Sequence, residues 1–292
     1  VWAGRSLIVV LACAIAPYGY GQELFKAFDL TAENLFSENI EGPCPDGRGG
    51  VYLVNFEKDG TIGHVSADGK SELFVRLPPP SNGNAIQIRS GKLLVADWVG
   101  HNILRVDVAS RAISVYCHDD RFNQPNDICM NRKGQLFASD PSWKDGTGQV
   151  WRIDPNGKAV LLKAGMGTAN GIELSPDERT LYVNESVQRR VWSFPLDKKG
   201  NPGAPVLFHE FPDYGMDGMK CDRVGNLYIT RYGKGTVAVL SPAGKLVREV
   251  EMKGKKTSNL AFGGKDGKLV FVTLQDRKCV EAFYTDIPGK GF

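Results

Sequence analysis

Short apolar runs separated by turn-forming residues recur from one end of this chain to the other, and no apolar spacing of 3.6 residues lasts long enough to predict a useful helix. One unit shows the pattern. Ile128 to Met130 reads as a short strand, Asn131 to Gly134 as a turn, and Gln135 to Ser139 as a second strand. After a loop from Asp140 to Thr147, Gly148 to Ile153 makes a third strand, Asp154-Pro155-Asn156-Gly157 a hairpin turn, and Lys158 to Leu162 a fourth. The same order returns in the other units, each opening on an acid or amide: Glu41, Asn84, Asn126, Asn170, Asp217 and Asn259. These residues recur at intervals of between 42 and 47 residues. A period of that size with four short strands per unit predicts an all-β, six-bladed β-propeller with four-stranded blades. The sixth unit ends soon after Cys279 to Thr285, too early for its fourth strand. A strand from the N-terminal segment, near Phe36 to Ile40, is expected to close the ring and cover the open edge.

In a propeller the first strand of each blade runs beside the axis, so its opening residue stands at one mouth of the central channel. Two carboxylates and four amides would converge there with no Lys or Arg among them. Such oxygen-rich groups suit a hard divalent cation. Asn-Gly and Asp-Gly are also ordinary turn formers. Against the turn explanation stand the recurrence at one position of every unit and Glu41, a poor turn residue.

Composition narrows the function. With 36 basic and 33 acidic residues spread along 292, there is no basic field for nucleic acid. Ahead of the repeats, Arg5 precedes the apolar run Leu7 to Ala16, too short to span a bilayer. Residues 1–22 are therefore expected to be an export signal, secretory or, through Cys13, of lipoprotein type, followed by a single propeller domain over 23–292. The protein is expected to be periplasmic or secreted, without a membrane span, and a monomer. The other five cysteines have no metal-binding spacing, and Cys44, Cys129 and Cys221, each three or four residues after a repeat-opening residue, are expected to be buried.

Other constellations are weak. The four histidines fall away from the expected mouth, and no Gly-x-Ser-x-Gly elbow or phosphate-binding glycine loop is present. Trp98 and Trp143, each just after a second strand, are candidates to rim the site. Loops such as Ser142 to Gly148 and Ser186 to Arg189 are where specificity is expected to reside.

Five segments together make the chain resemble the regucalcin/gluconolactonase (senescence marker protein-like) family of six-bladed propeller lactonases: Glu41 to Pro43, Arg121 to Asp127 (RFNQPND), Ala169 to Asp177 (ANGIELSPD), Gly215 to Met219 (GMDGM) and Asn259 to Gly264 (NLAFGG). The resemblance implies a divalent-metal-dependent hydrolase that opens a sugar lactone. It implies Glu41, Asn170 and Asp217 as metal ligands, with Asn126 as a fourth ligand or holder of the metal's water. Arg121 and Asn123 would touch substrate. Asn126 keeps the repeat spacing, and Asn123 is the alternative site amide. Asp217 is the candidate general base. Ca²⁺ is the expected ion, and Mg²⁺, Mn²⁺ or Zn²⁺ would also suit oxygen ligands. Two other functions fit the same ring: a non-catalytic exported propeller binding calcium or a sugar acid, and a phosphotriesterase-type hydrolase.

Overall fold

The computed structural model describes residues 23–292. The export-signal expectation for 1–22, with Cys13, lies outside the described residues. Within them there is no α-helix, and therefore no helix long and apolar enough to cross a membrane. The chain forms six four-stranded antiparallel sheets. Inner strands are Phe36–Pro45, Gly83–Arg89, Ile128–Met130, Ala169–Leu174, Met219–Cys221 and Thr257–Gly263. Each inner strand packs beside that of the next blade and the last returns to the first, so the six sheets form a closed ring around an axial channel.

The burial pattern follows from this packing. Second strands such as Val51–Phe56 and Leu269–Leu274 are buried at every position, because both faces of a blade's middle are covered by its neighbours. They accordingly read as continuous apolar runs rather than as alternating ones. Outer strands such as Leu246–Glu251 are largely exposed. Six hydrophobic clusters result, one at each junction between adjacent blades: Tyr228, Val250, Leu260 and Phe283 belong to the junction of blades five and six, and Val51, Phe56, Phe271 and Val280 to that of blades six and one.

The ring is closed by an N-terminal strand, but not by the segment expected. Phe28–Asp29 is the outer strand of the sixth blade, with Phe28 opposite Ala282 and Asp29 opposite Glu281. Phe36 to Ile40 instead begins the ten-residue inner strand of blade one. The period-two pattern at Phe36 and Ile40 reported a strand correctly. It could not report which sheet that strand joins, and Phe28–Asp29 is too short to carry a pattern. Long-range contacts hold the closure: Arg277 pairs with Asp29 and Glu33, each at 2.6 Å, and with Glu281, while Lys253 reaches Asp29 at 2.5 Å.

All five described cysteines are buried and free. Burial pushes the thiols of Cys44 and Cys279 up to about 12 and that of Cys117 to about 11, so they act as small core residues.

Candidate active site

An inner strand and the second strand of its blade run antiparallel, so the start of the one lies beside the end of the other. Both therefore contribute to the same mouth of the channel. A cavity of about 420 Å³ opens there, within the range of roughly 300–1,000 Å³ typical of small-molecule sites. Its floor comes from Glu41, Asn84, Asn126, Asn170 and Asp217. Its rim comes from Trp98, Trp143, Ser186, Tyr232 and Gln275, each the residue directly after a second strand, with Asn39 and Gln124 completing the wall. Trp98 and Trp143 stand where the strand order had placed them. Ser186, which opens one of the two loops expected to carry specificity, occupies the same position of its blade, as do Tyr232 and Gln275.

Floor residues sit where the inner ladder is irregular or has yet to begin. Regular pairing resumes at Ile86, Ile128, Ile172 and Met219, two residues after Asn84, Asn126, Asn170 and Asp217 respectively. Such breaks re-aim side chains away from the sheet faces. The sixth blade corrects the expected ring. Its inner strand resumes at Leu260, so Ser258 stands level with Asp217, and Asn259 lies one step deeper, outside the cavity lining. The Asn259 amide there hydrogen-bonds Glu41.

A second regularity concerns the residues that follow. Glu41, Asn170 and Asp217 are each followed by glycine, and these glycines do not make ordinary turns. A Cβ at Gly171 would lie 2.2 Å from the Asp217 carbonyl oxygen, one at Gly218 would lie 1.9 Å from Asn259 Oδ1, and one at Gly42 2.5 Å from the Asn84 carbonyl oxygen. The absent Cβ lets neighbouring inner strands close on one another at the three positions where the strongest site residues stand. Around Asp217 the backbone is fixed further: its N–H donates to Thr230 O at 3.0 Å, and its carbonyl accepts from Asn184 Nδ2 at 2.6 Å.

The electrostatics of the floor are unbalanced. Glu41 is 3% exposed and accepts from the Gly42 N–H at 2.8 Å. Burial, with a contribution from the nearby Asp127 carboxylate, pushes its carboxyl up to about 8. Burial and the neighbouring Glu41 hold Asp217 well above the usual carboxylate range, although the Asn170 amide donates to it. Asn170 Oδ1 is buried with no hydrogen-bond partner. No Lys, Arg or His lines the cavity. Among the described residues no three His, Cys, Asp or Glu side chains converge, so the donor set is two carboxylates and amide oxygens. Two like-charged acids and an unpaired acceptor, all oxygen and short of positive charge, fit a hard divalent cation.

The two residues expected to touch substrate lie elsewhere. Arg121 is exposed, pairs with Asp119 at 2.6 Å and lies over the Trp151 ring at 4.9 Å. Asn123 donates from its backbone to the Asp140 carboxylate at 2.9 Å and from its side chain to the Asp140 carbonyl at 3.4 Å. Neither lines the cavity, whereas Asn126 and Gln124 do.

Below the floor the channel changes character. Asp127, not singled out from sequence, is 2% exposed and spans two blades, accepting from Ile128 N at 2.9 Å and Ile172 N at 3.3 Å. Lys220 Nζ lies 3.8 Å from Asp127 and 3.9 Å from Glu173, and Lys290 pairs with Glu173 from the far side. A cavity of about 710 Å³, lined in part by Glu173, Lys220 and Lys290, opens at that opposite end.

A six-bladed propeller with an oxygen-lined axial cavity defines the class. The model of the SMP-30/gluconolactonase/LRE-like region matches residues 40–276, and the chain belongs to that family. Gluconolactonase of Zymomonas mobilis is 31% identical over 220 residues, 67% of this chain and 61% of that protein. The 6-deoxy-6-sulfogluconolactonase of Pseudomonas putida is 29% identical over 183 residues, 56% of this chain and 62% of that one. The chain thus spans about three fifths of the length of these relatives. Among solved structures, the calcium-binding protein regucalcin of Agrobacterium tumefaciens superposes with a TM-score of 0.77 at 25% identity, covering 93% of this chain and 95% of the other.

Proposed function

We propose that the protein is a divalent-metal-dependent lactonase that hydrolyses a sugar lactone in the cavity at the channel mouth. One observation carries the reading: two buried carboxylates, Glu41 and Asp217, face each other's charge with an unpaired Asn170 oxygen beside them and no cation of the protein's own in the cavity. The relatives named gluconolactonase and 6-deoxy-6-sulfogluconolactonase act on lactones of sugar acids, and the neighbour described as calcium-binding supports the ion. Export to the periplasm or exterior, inferred from residues 1–22, belongs to the same proposal.

Ring opening adds water across the acyl C–O bond. The water oxygen bonds to the carbonyl carbon, the ring oxygen leaves as a hydroxyl, and the acid formed releases a proton at neutral pH. Glu41, Asn170 and Asp217, with Asn126 as the fourth, would hold the divalent cation, which when bound supplies Lewis acidity to the carbonyl and lowers the pKa of water. Asp217 accepts the proton of the attacking water and returns it to the departing ring oxygen, and its fixed backbone keeps the carboxylate in place for both transfers. Glu41 and the Asn170 amide hold Asp217 and the ion in register. The tryptophan rim narrows access of bulk water.

The test is a panel of aldonolactones assayed by acid release, with chelator and metal add-back. Metal-restored turnover of at least one lactone is expected. Protein that binds Ca²⁺ yet opens none above the chelated control supports the non-catalytic ion-binding reading instead.

A further inference from the structure

The cavity at the opposite end of the channel takes no part in the lactone chemistry. At about 710 Å³ it is larger than the mouth cavity and within the range of roughly 300–1,000 Å³ that holds a small organic molecule. Its lining is of another kind. The inner strands that carry acids and amides at one end carry apolar groups at the other: Ile86 and Ile88 of the second blade, Met130 of the third and Phe262 of the sixth all line this cavity. Phe292, a large apolar side chain left 45% exposed, adds a further surface.

The charged groups around this apolar space divide into those the chain has matched and one it has not. Lys220 and Lys290 are committed to Asp127 and Glu173. Asp46 accepts from the Arg48 and Gly50 N–H groups at 2.7 and 2.9 Å and from the His64 ring at 2.9 Å. Arg132 lies 3.9 Å from Glu178. Arg89, the last residue of its inner strand, has no carboxylate partner among the described residues: its Nη1 meets Met130 Sδ at 3.5 Å and its Nη2 donates to the Arg132 carbonyl oxygen at 3.4 Å. The turn of blade three passes so close that a Cβ at Gly134 would strike this guanidinium. Arg89 is therefore placed at the junction of blades two and three without being neutralised.

A guanidinium presents its N–H donors as a planar fork that matches two oxygens of a carboxylate or sulfonate. Beside it, Ile86, Ile88 and Met130 reward the burial of hydrocarbon. A polyhydroxylated ring would leave hydroxyls without partners against those walls, and a second negative charge would face Glu173 and Glu178.

We propose that the lower cavity is a second ligand site, taking an organic monoanion with an apolar body, its carboxylate or sulfonate on Arg89 and its hydrocarbon against Ile86, Ile88, Met130 and Phe262. No residue of the mouth takes part, so this site stands apart from the lactonase reading.

The test uses 8-anilinonaphthalene-1-sulfonate and N-phenyl-1-naphthylamine, the same hydrocarbon without the sulfonate, each titrated by fluorescence into the full protein. One saturable site is expected, with the anion bound at least about tenfold more tightly, the ratio for one hydrogen bond to a charged group. Arg89 is exposed, so Arg89→Gln should fold normally. It should abolish the anion's advantage and leave the neutral probe within about twofold of its parent affinity. Ile88→Asn should weaken both probes several-fold, and Trp98→Ala, at the mouth, should change neither. Octanoate should displace the sulfonate at concentrations where 1-octanol does not. Equal affinity for the two probes, an anion affinity unchanged in Arg89→Gln, or no saturable binding would overturn the proposal. So would loss of binding in Trp98→Ala, which would put the probe at the mouth. Aldonolactone turnover in Arg89→Gln is expected to equal that of the parent, so the two sites stand or fall separately.

Discussion

The two halves of the axial channel solve the same problem in opposite ways. Both bury carboxylates. In the lower half, Asp127 and Glu173 have counter-charges from the chain itself, since Lys220 stands between them and Lys290 closes on Glu173. Burial opposes the charge on Lys220, yet these two acids hold its ammonium above the usual lysine range. In the upper half, Glu41 and Asp217 have amides, a backbone N–H and each other; burial pushes both acids upward, as it does Asp127, but neither has a lysine within ion-pair distance. The folded chain neutralises one pair of buried acids and leaves the next without a counter-charge of its own, a few residues along the same strands, and that imbalance is what the proposed cation would relieve. By this criterion the lower half is charge-compensated, and the upper half carries the proposed site.

Five experiments break or sharpen the contrast. The largest effect is expected from Asp217→Asn, which keeps the shape of the floor and removes the proton acceptor. Turnover should fall by about 10³-fold, within the range for a lost general base, while circular dichroism stays native. Activity within tenfold of the parent would remove Asp217 from that role.

Next comes Lys220→Met, which strips the lower half of its built-in cation. Leaving Asp127 with its two backbone donors but no counter-charge should cost about 3 kcal/mol in denaturant unfolding, the low end for breaking a buried pair. An unchanged midpoint would mean that the lower acids do not depend on Lys220, and the distinction between the halves would fail.

Gly171→Ala places a methyl 2.2 Å from the Asp217 carbonyl and must displace the acid. Metal affinity and kcat/KM should each drop by about 10- to 100-fold with little loss of secondary structure, as expected for a displaced catalytic group. Wild-type calcium affinity would show that the close approach of the strands is incidental.

The fourth concerns pH. Glu41 holds its proton to about 8 in the metal-free fold and to 4.5 in the unfolded chain. Between those values the folded state binds more protons, so stability of the chelated protein should fall as pH rises across that window. In the proposed site Ca²⁺ would take the place of that proton. Excess Ca²⁺ should raise Tm by about 5 °C at pH 8 and by much less at pH 5. Equal shifts at both pH values would contradict a site built on these acids.

The smallest effect is expected from Arg121→Ala. Its guanidinium is exposed and committed to Asp119, so kcat/KM should change by less than about twofold, as for a surface ion pair. A loss above tenfold would bring Arg121 back to the substrate, where its motif had placed it.

Much of this was legible in the chain. The recurrence of an acid or amide before a short apolar strand specified six blades and the residues around one mouth, because each blade repeats the same local hydrogen-bonding and burial problem. In blades two to six the residue after the second strand marked the rim for the same reason. Repeat spacing also preferred Asn126 to Asn123, and Asn126 lines the cavity.

What escaped the sequence depends on contacts between blades. Phe28–Asp29 is recognisable as a strand only because Ala282 and Glu281 pair with it. Asn259 reads as the sixth member of the ring, and only the register of Leu260 against Val272 shows that it stands one step deeper. The glycines after Glu41, Asn170 and Asp217 look like turn residues. Their use is to admit a neighbouring strand, which is invisible from within one repeat. Local pattern, then, determined the blades and the set of polar groups available. The packing of six inner strands around one axis decided which acids share a cavity, which receive a lysine, and which have no counter-charge from the chain, because charge compensation is settled by distance in space rather than along the chain.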